Sequence, residues 1–258
     1  TLGPGWDPAD VAGGYVAPIT ALTLDGGRRS PARPARFSNP DLAAGRALAV
    51  ALGSPGAQVV RGTAAPAARQ LAEVRSAPVG RLVEQLLLAS DNVMAETLAR
   101  QVAVAQGQPA SFAGAVAAVR GVLDRLGLPS GGDGLVDGSG LSYRDRVSPA
   151  LLAAALRAAV APDRPELHAL VPGLPVSGYD GTLDSRFRAG PTAPAAGQVR
   201  AKTGTLTGVS SLAGLVRGTD GRLLAFAVVA DRVPVAGTLR AEAALDVVAA
   251  ALAGCGCR

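Results

Sequence analysis

Lysine is nearly absent from this sequence. Of its 25 positive residues, 24 are arginine and one, Lys202, is lysine. Gly-Lys-Ser and Gly-Lys-Thr do not occur, which excludes a Walker-type phosphate loop. Cysteine and histidine are as scarce. Cys255, Cys257 and His168 cannot supply the ligands of a usual zinc site, and two cysteines make no disulfide framework. So close along the chain, the two cysteines are also not expected to bond each other easily. No apolar run reaches the roughly 18–20 residues that cross a bilayer; the longest, Leu223 to Ala230, is strand-sized. The first residues lack the basic-then-apolar pattern of a signal peptide, and a start at Thr1 leads to the expectation of a cut or processed chain. Aromatic residues are only 3%, and none interleaves the basic cluster Arg28, Arg29, Arg33 and Arg36. That cluster is read as a solvated loop, and no nucleic-acid partner is expected.

What is present is a chain of 258 residues, 48% hydrophobic and 17% charged, with room for one large domain or two smaller ones. Disorder needs the opposite balance of low hydrophobicity and high charge. A net charge of +5 permits acidic partners but is mild for this length. Tyr15 to Leu24 has strand-like content, closed by the Asp25-Gly26-Gly27 turn. Asn39-Pro40 opens a helix that Gly53 closes, and Gln58 to Arg61 is a candidate strand. Pro78 to Ala89 carries an apolar stripe at Leu82, Val83, Leu86 and Leu87. Ser90-Asp91-Asn92 interrupts it; helices then run over Val93 to Ala105, Ala110 to Leu126 and Pro149 to Val160. The period changes in the last third, with strands at Gln198 to Lys202, Gly208 to Arg217 and Arg222 to Ala230 and a hairpin turn at Thr219-Asp220-Gly221. Thr238 then caps a closing helix to about Ala253. Helices followed by an antiparallel meander make an α+β fold, with a strand-rich piece of about 60 residues in front.

Two short elements bear chemistry. Lys202 stands in Val199-Arg-Ala-Lys-Thr-Gly-Thr-Leu206, at a strand end. Arginine serves this sequence wherever only surface charge is wanted. Lysine differs in having a compact ammonium whose pKa burial can move toward neutrality. By itself the tripeptide also fits an exposed strand-end lysine. Ser90-Asp91-Asn92, 112 residues earlier, offers a hydroxyl that can relay a proton and an amide that both donates and accepts. By itself it also fits a helix N-cap.

Together, in this order, the two elements resemble the serine penicillin-binding proteins and β-lactamases, whose signature runs Ser-x-x-Lys, Ser-Asp-Asn, Lys-Thr-Gly. The finer resemblance is to the class C low-molecular-mass penicillin-binding proteins, D-alanyl-D-alanine carboxypeptidase/endopeptidases. It rests on Leu88-Ala-Ser-Asp-Asn-Val-Met-Ala-Glu-Thr-Leu98, Val136-Asp-Gly-Ser-Gly-Leu-Ser142 with Arg146-Val-Ser-Pro149, Gly181-Thr-Leu183, Ala201-Lys-Thr-Gly-Thr-Leu206 and Ser211-Leu-Ala-Gly214. Tyr15-Val-Ala-Pro-Ile-Thr-Ala-Leu22 resembles the end of the accessory domain that interrupts the catalytic domain in that family. The resemblance implies a penicillin-binding-protein/β-lactamase-like transpeptidase fold, a helical cluster on an antiparallel sheet. Residues 1–62 would be the remnant of the accessory insertion and 63–258 the larger C-terminal part of the catalytic domain. One departure is arithmetic: with Lys202 the only lysine and Val at 199, Ser-x-x-Lys is absent. Either the chain is the C-terminal part of a longer or cleaved enzyme, or it is a relative that has lost its nucleophile.

The resemblance implies an acyl-enzyme peptidase sensitive to penicillin, acting on peptidoglycan peptides outside the cytoplasm, without cofactor or metal. Ser90 would relay a proton, Asn92 would position substrate, and Lys202 would supply positive potential linked to Ser90. Thr203 and Thr205 would hold the terminal carboxylate beside Gly204, with the Thr205 N–H as half of the oxyanion hole. Asp91 would fix the turn, and Asp137 and Ser139 would line or buttress the cleft. The alternatives are an inactive cell-wall peptide-binding relative and, less favoured, a β-lactamase, since Glu166-Leu-His-Ala-Leu170 does not match Glu-x-x-Leu-Asn. Ser139 lacks the Gly-x-Ser-x-Gly frame, and His168 reads as a helix-surface histidine.

Overall fold

The computed structural model describes residues 2–30, 33–129, 132 and 134–256. In chain order the elements are α1 (Pro8–Ala12), β1 (Arg28–Ser30), β2 (Arg33–Arg36), α2 (Pro40–Ala51), α3 (Val79–Ala89), α4 (Asn92–Ala105), α5 (Phe112–Arg125), α6 (Pro149–Ala159), α7 (Leu170–Gly173), β3 (Val199–Leu206), β4 (Val209–Arg217), β5 (Leu223–Ala230) and α8 (Thr238–Ala253). This is the α+β order expected from the sequence. The chain divides into two compact units, one of residues 1–78, 91–116 and 136–144, the other of 79–90, 117–135 and 145–258.

The first unit gathers α1, the β1–β2 hairpin, α2, α4 and the start of α5. Val16, Ala17, Ile19, Val93, Ala99 and Ala103 are buried in it. Trp6 meets Phe112 edge to face at 5.4 Å, and the Arg100 guanidinium lies 4.1 Å from the Phe112 ring centre. The strand expected over Tyr15 to Leu24 is not one. Val16, Ala17 and Ile19 are buried without strand pairing, while Tyr15, Leu22 and Leu24 are exposed. Gln58 to Arg61 is likewise unpaired and mostly exposed.

The second unit is built on a three-stranded antiparallel sheet of order β3-β4-β5. Register runs from Val199↔Val216 to Leu206↔Val209, and from Ser210↔Ala230 to Arg217↔Leu223. Strand alternation divides the residues between two faces. Val199, Ala201, Leu212, Val216 and Phe226 face α8 and pack with its Leu245 and Ala249 into the core. The other face carries Lys202, Gly204, Ser211 and Leu215, and α6 packs there against β4 and β5. Ser148 caps α6 by accepting from the Leu151 N–H, with Pro149 at its first position. Thr238 does not cap α8 as expected. Gly237 occupies the cap, and the Thr238 hydroxyl donates to the Val235 carbonyl instead. Arg186 ties the preceding loop to α8 through a two-nitrogen contact with Asp246, 2.6–3.1 Å. Cys255 is disulfide-bonded; the expectation about its bonding to Cys257 falls on a residue outside the described ones.

Candidate active site

Lys202 and Ser90, far apart in sequence, meet in the second unit. The Lys202 ammonium donates to Ser90 Oγ at 2.7 Å and to the Thr203 carbonyl at 2.7 Å. Two local features place Ser90 there. It follows the last turn of α3, and its φ is +53°, a left-handed conformation in which a residue other than glycine costs about 1–2 kcal/mol. The next residue, Asp91, begins α4 as its N-cap, so Ser90 sits on the turn between two helices with its hydroxyl free to reach β3. Lys202 stands on the α6 side of the sheet. Burial lowers its pKa from the ordinary 10.5 to about 8.

β3 is the edge strand of its sheet. Backbone groups of alternate residues point away from β4. Val199 and Ala201 use theirs on residues 175–177: the Ser177 N–H donates to Val199 O, and the Ala201 N–H donates to Pro175 O, both at 2.9 Å. Thr203 and Thr205 continue this edge past that cover. Gly204 leaves room for Ser211 Oγ on the paired strand, which would lie 2.4 Å from a Cβ at 204 and would have to turn away from one. The two threonine side chains lie on the α8 face. Thr203 donates to the Thr182 hydroxyl at 2.8 Å, and Thr205 donates to Glu242 Oε1 at 2.9 Å. Gly181, before Thr182, has φ +54°, and a Cβ there would press within 2.8 Å of the Leu88 carbonyl.

The remaining sequence-derived residues belong to the first unit. Asn92 donates its side-chain amide to the Tyr15 carbonyl at 3.1 Å. Asp91 accepts from the Met94 N–H at 3.0 Å and from Arg28 at 2.7 Å, with Arg36 at 3.8 Å. Burial pushes its carboxyl upward, but these partners outweigh burial and hold it below the usual range. The reading of the arginine cluster as a solvated loop is therefore corrected for two members. Arg36 is 6% exposed and also donates to the Gly14 and Gly26 carbonyls, while Arg28 clamps Asp91.

Asp137 takes four donors: Trp6 Nε1 at 2.7 Å and the N–H groups of Ser139, Gly140 and Ser142 at 2.7–3.0 Å. Its oxygens are thus committed to shaping their own loop. Glu96, which motif reading passed over, is fully buried beneath that loop. It accepts from the Gly138 and Ser139 N–H groups at 2.8 and 2.9 Å and from Arg100 at 3.1 Å. Burial first, and then the Asp137 charge, raise its pKa against these donors. Its four-residue spacing from Arg100 was the one available signal. His168 is exposed, its ring bonded to the Ala161 carbonyl. No group of His, Cys, Asp and Glu among the described residues is arranged to hold a metal ion.

Residues 32–252 match the family described as D-Ala-D-Ala carboxypeptidase 3 (S13). The chain belongs to that family. A carboxypeptidase of Mycobacterium tuberculosis is 44% identical over the whole chain, which covers 56% of that protein. Carboxypeptidase DacB of Mycolicibacterium smegmatis is 43% identical, again with 56% of its length covered. The chain therefore spans just over half the length of the curated relatives it matches. The crystal structure of penicillin binding protein 4 from Haemophilus influenzae matches with a TM-score of 0.55 and 34% identity, over 60% of this chain and 34% of that one. Helices packed on an antiparallel sheet are thus the penicillin-binding-protein type of fold.

Proposed function

We propose that this chain carries the Ser-Asp-Asn and Lys-Thr-Gly elements of a serine D-alanyl-D-alanine carboxypeptidase/endopeptidase acting on peptidoglycan stem peptides. The nucleophile is supplied by a Ser-x-x-Lys segment outside these 258 residues, because the only lysine here is Lys202. The observation that carries the reading is the Lys202–Ser90 hydrogen bond at the start of the uncovered β3 edge. Family membership sets the reaction class. A solved relative, the Haemophilus influenzae protein, is complexed with a β-lactam, which supports β-lactams as ligands of this site too.

The geometry supports the following steps. An extended peptide lies along β3 beyond Ala201, its backbone paired with Thr203 and Thr205. The nucleophile's hydroxyl gives its proton to the lysine of its own Ser-x-x-Lys as its oxygen attacks the carbonyl, and the developing oxyanion is held by the Thr205 N–H and by the nucleophile's own N–H. One such donor is worth about 10²–10³ in rate. As the C–N bond breaks, the leaving amine takes a proton from the Ser90 hydroxyl, and Ser90 recovers one from Lys202. A lysine with pKa about 8 gives up and regains a proton near neutral pH far more readily than an ordinary one. Water then releases the acyl group. Asn92 positions substrate, Thr203 and Gly204 shape the edge, and Asp137 buttresses the loop that carries Ser139. The substrate places the protein outside the cytoplasm; no helix among the described residues is long and apolar enough to cross a membrane. Residues 1–62 close an accessory insertion, and 63–258 belong to the catalytic domain.

The test is fluorescent penicillin with the full-length protein. Stoichiometric labelling at a serine preceding Thr1, with release of D-alanine from a peptide ending in D-Ala-D-Ala, is the expected result. Neither labelling nor release would leave a peptide-binding relative without catalysis.

A further inference from the structure

In the peptidase reading above, the leaving amine takes its proton from Ser90, so the departing residue lies at the Ser90 and Lys202 end of β3. Thr182 stands at this end too. It belongs to the turn that follows the 175–177 segment bonded to β3, and Gly181 before it packs against Leu88, two residues ahead of Ser90. That turn is fixed within the second unit. Asp180 Oδ1 accepts from the Val176 N–H at 2.7 Å, the Gly178 N–H donates to the Leu183 carbonyl at 2.9 Å, and the Leu183 side chain is fully buried. The Thr182 hydroxyl is thereby held 2.8 Å from the Thr203 hydroxyl, from which it accepts. Two hydroxyls joined by one hydrogen bond keep one proton to give. Here it is the Thr182 proton: Thr203 commits its own to the pair, and Thr182 has no acceptor among the described residues. A hydroxyl that accepts one hydrogen bond is polarised toward donating the next. Both threonines are half-buried, which leaves that proton open to a ligand. The Lys202 ammonium, bonded to the Thr203 carbonyl at 2.7 Å, adds positive charge at the same end. A carboxylate, acceptor only and negative, matches both features. We infer that Thr182 is a substrate-binding residue that donates its hydroxyl proton to the terminal carboxylate of the departing residue, with Thr203 as the positioning residue behind it. The inference rests on the peptidase reading and deepens it, moving the direct side-chain contact with that carboxylate from Thr203 to Thr182.

The experiment compares an N-acylated peptide ending in D-alanyl-D-alanine with the same peptide as its C-terminal carboxamide. Full-length protein is used, and the released D-alanine or D-alaninamide is measured. Wild-type protein is expected to have the higher kcat/KM for the carboxylate. Thr182→Val keeps the outline of the side chain and removes the hydroxyl. It should lower kcat/KM for the carboxylate peptide by about tenfold, the scale of a hydrogen bond to a charged group, and chiefly through KM. The neutral carboxamide should lose less, so the preference for the carboxylate shrinks. Thr182→Ser keeps the hydroxyl and should keep the preference. A purely structural role for Thr182 would move both peptides together and leave their ratio unchanged. An unchanged ratio in Thr182→Val, or a preference lost as fully in Thr182→Ser, with fluorescent penicillin still bound, overturns the inference and leaves the peptidase reading standing. If Thr182→Val does not fold, the same ratio is read in Thr182→Ala. No labelling and no turnover of either peptide by wild-type protein overturns the peptidase reading itself.

Discussion

Lys202 shows why this sequence keeps one lysine among so many arginines. A guanidinium stays charged at any working pH, whereas an ammonium can be drawn down by burial. With a folded-state pKa of about 8 against the ordinary 10.5, the charged form is disfavoured on folding. That penalty is fully present below pH 8, where both states are protonated. It is relieved as pH rises from about 8 to 10.5, because there the unfolded chain holds more protons. Lys202→Met in the full-length protein is therefore expected to melt no lower than wild type at pH 7. It should also lack the part of the alkaline rise in stability that Lys202 contributes. D-alanine release should fall by at least about 10²-fold, the usual scale of a proton-transfer group. Thermal unfolding at pH 7 and 10, beside an assay of released D-alanine, checks all three; undiminished turnover would remove Lys202 from the mechanism. The pairing of Lys202 with Ser90 was legible in the sequence because two short motifs occur in a known order. Glu242 was not, since a glutamate on a helix carries no mark of which strand residue it will meet.

Helix α3 stops at Ser90 and α4 starts at Asp91, so the helix boundary and the candidate proton relay are one feature. Asp91 combines a cap with an ion pair, and the two parts can be separated. Asp91→Ala removes the acceptor for the Met94 N–H, worth about 1 kcal/mol. It also strips the partner from Arg36, which is 6% exposed, so a total loss of about 2–5 kcal/mol is expected. Asp91→Asn keeps the cap and loses only the charge, and should fall between that variant and wild type. Denaturant titration of the three proteins is the measurement; equal midpoints would show that neither contact contributes. The cap was legible from Ser-Asp-Asn followed by an apolar helical period. Arg28 and Arg36 as its partners were not, because 63 and 55 residues of chain separate them from Asp91 and charge spacing says nothing over such distances. The strand expected at Tyr15 to Leu24 failed for a related reason. Apolar, β-branched residues suit any buried extended chain, and whether that chain becomes a strand depends on a neighbouring edge.

At the scale of the whole molecule, the chain covers 56% of the length of its mycobacterial relatives and contains no Ser-x-x-Lys. Residues 1–258 alone are expected to take up no fluorescent penicillin, in contrast to the full-length protein. Stable stoichiometric labelling of these residues would place the nucleophile among their own serines. The sequence by itself determined the family, the α+β order and the solitude of Lys202, because motif order, hydrophobic period and residue counts are properties of the chain alone. Only the tertiary structure decided what each polar group is bonded to. It put Lys202 against Ser90, Thr205 against Glu242, Asp91 between two arginines and Glu96 beneath the Asp137 loop. A buried donor or acceptor must find a partner wherever folding brings one near, and that proximity comes from packing and not from sequence spacing.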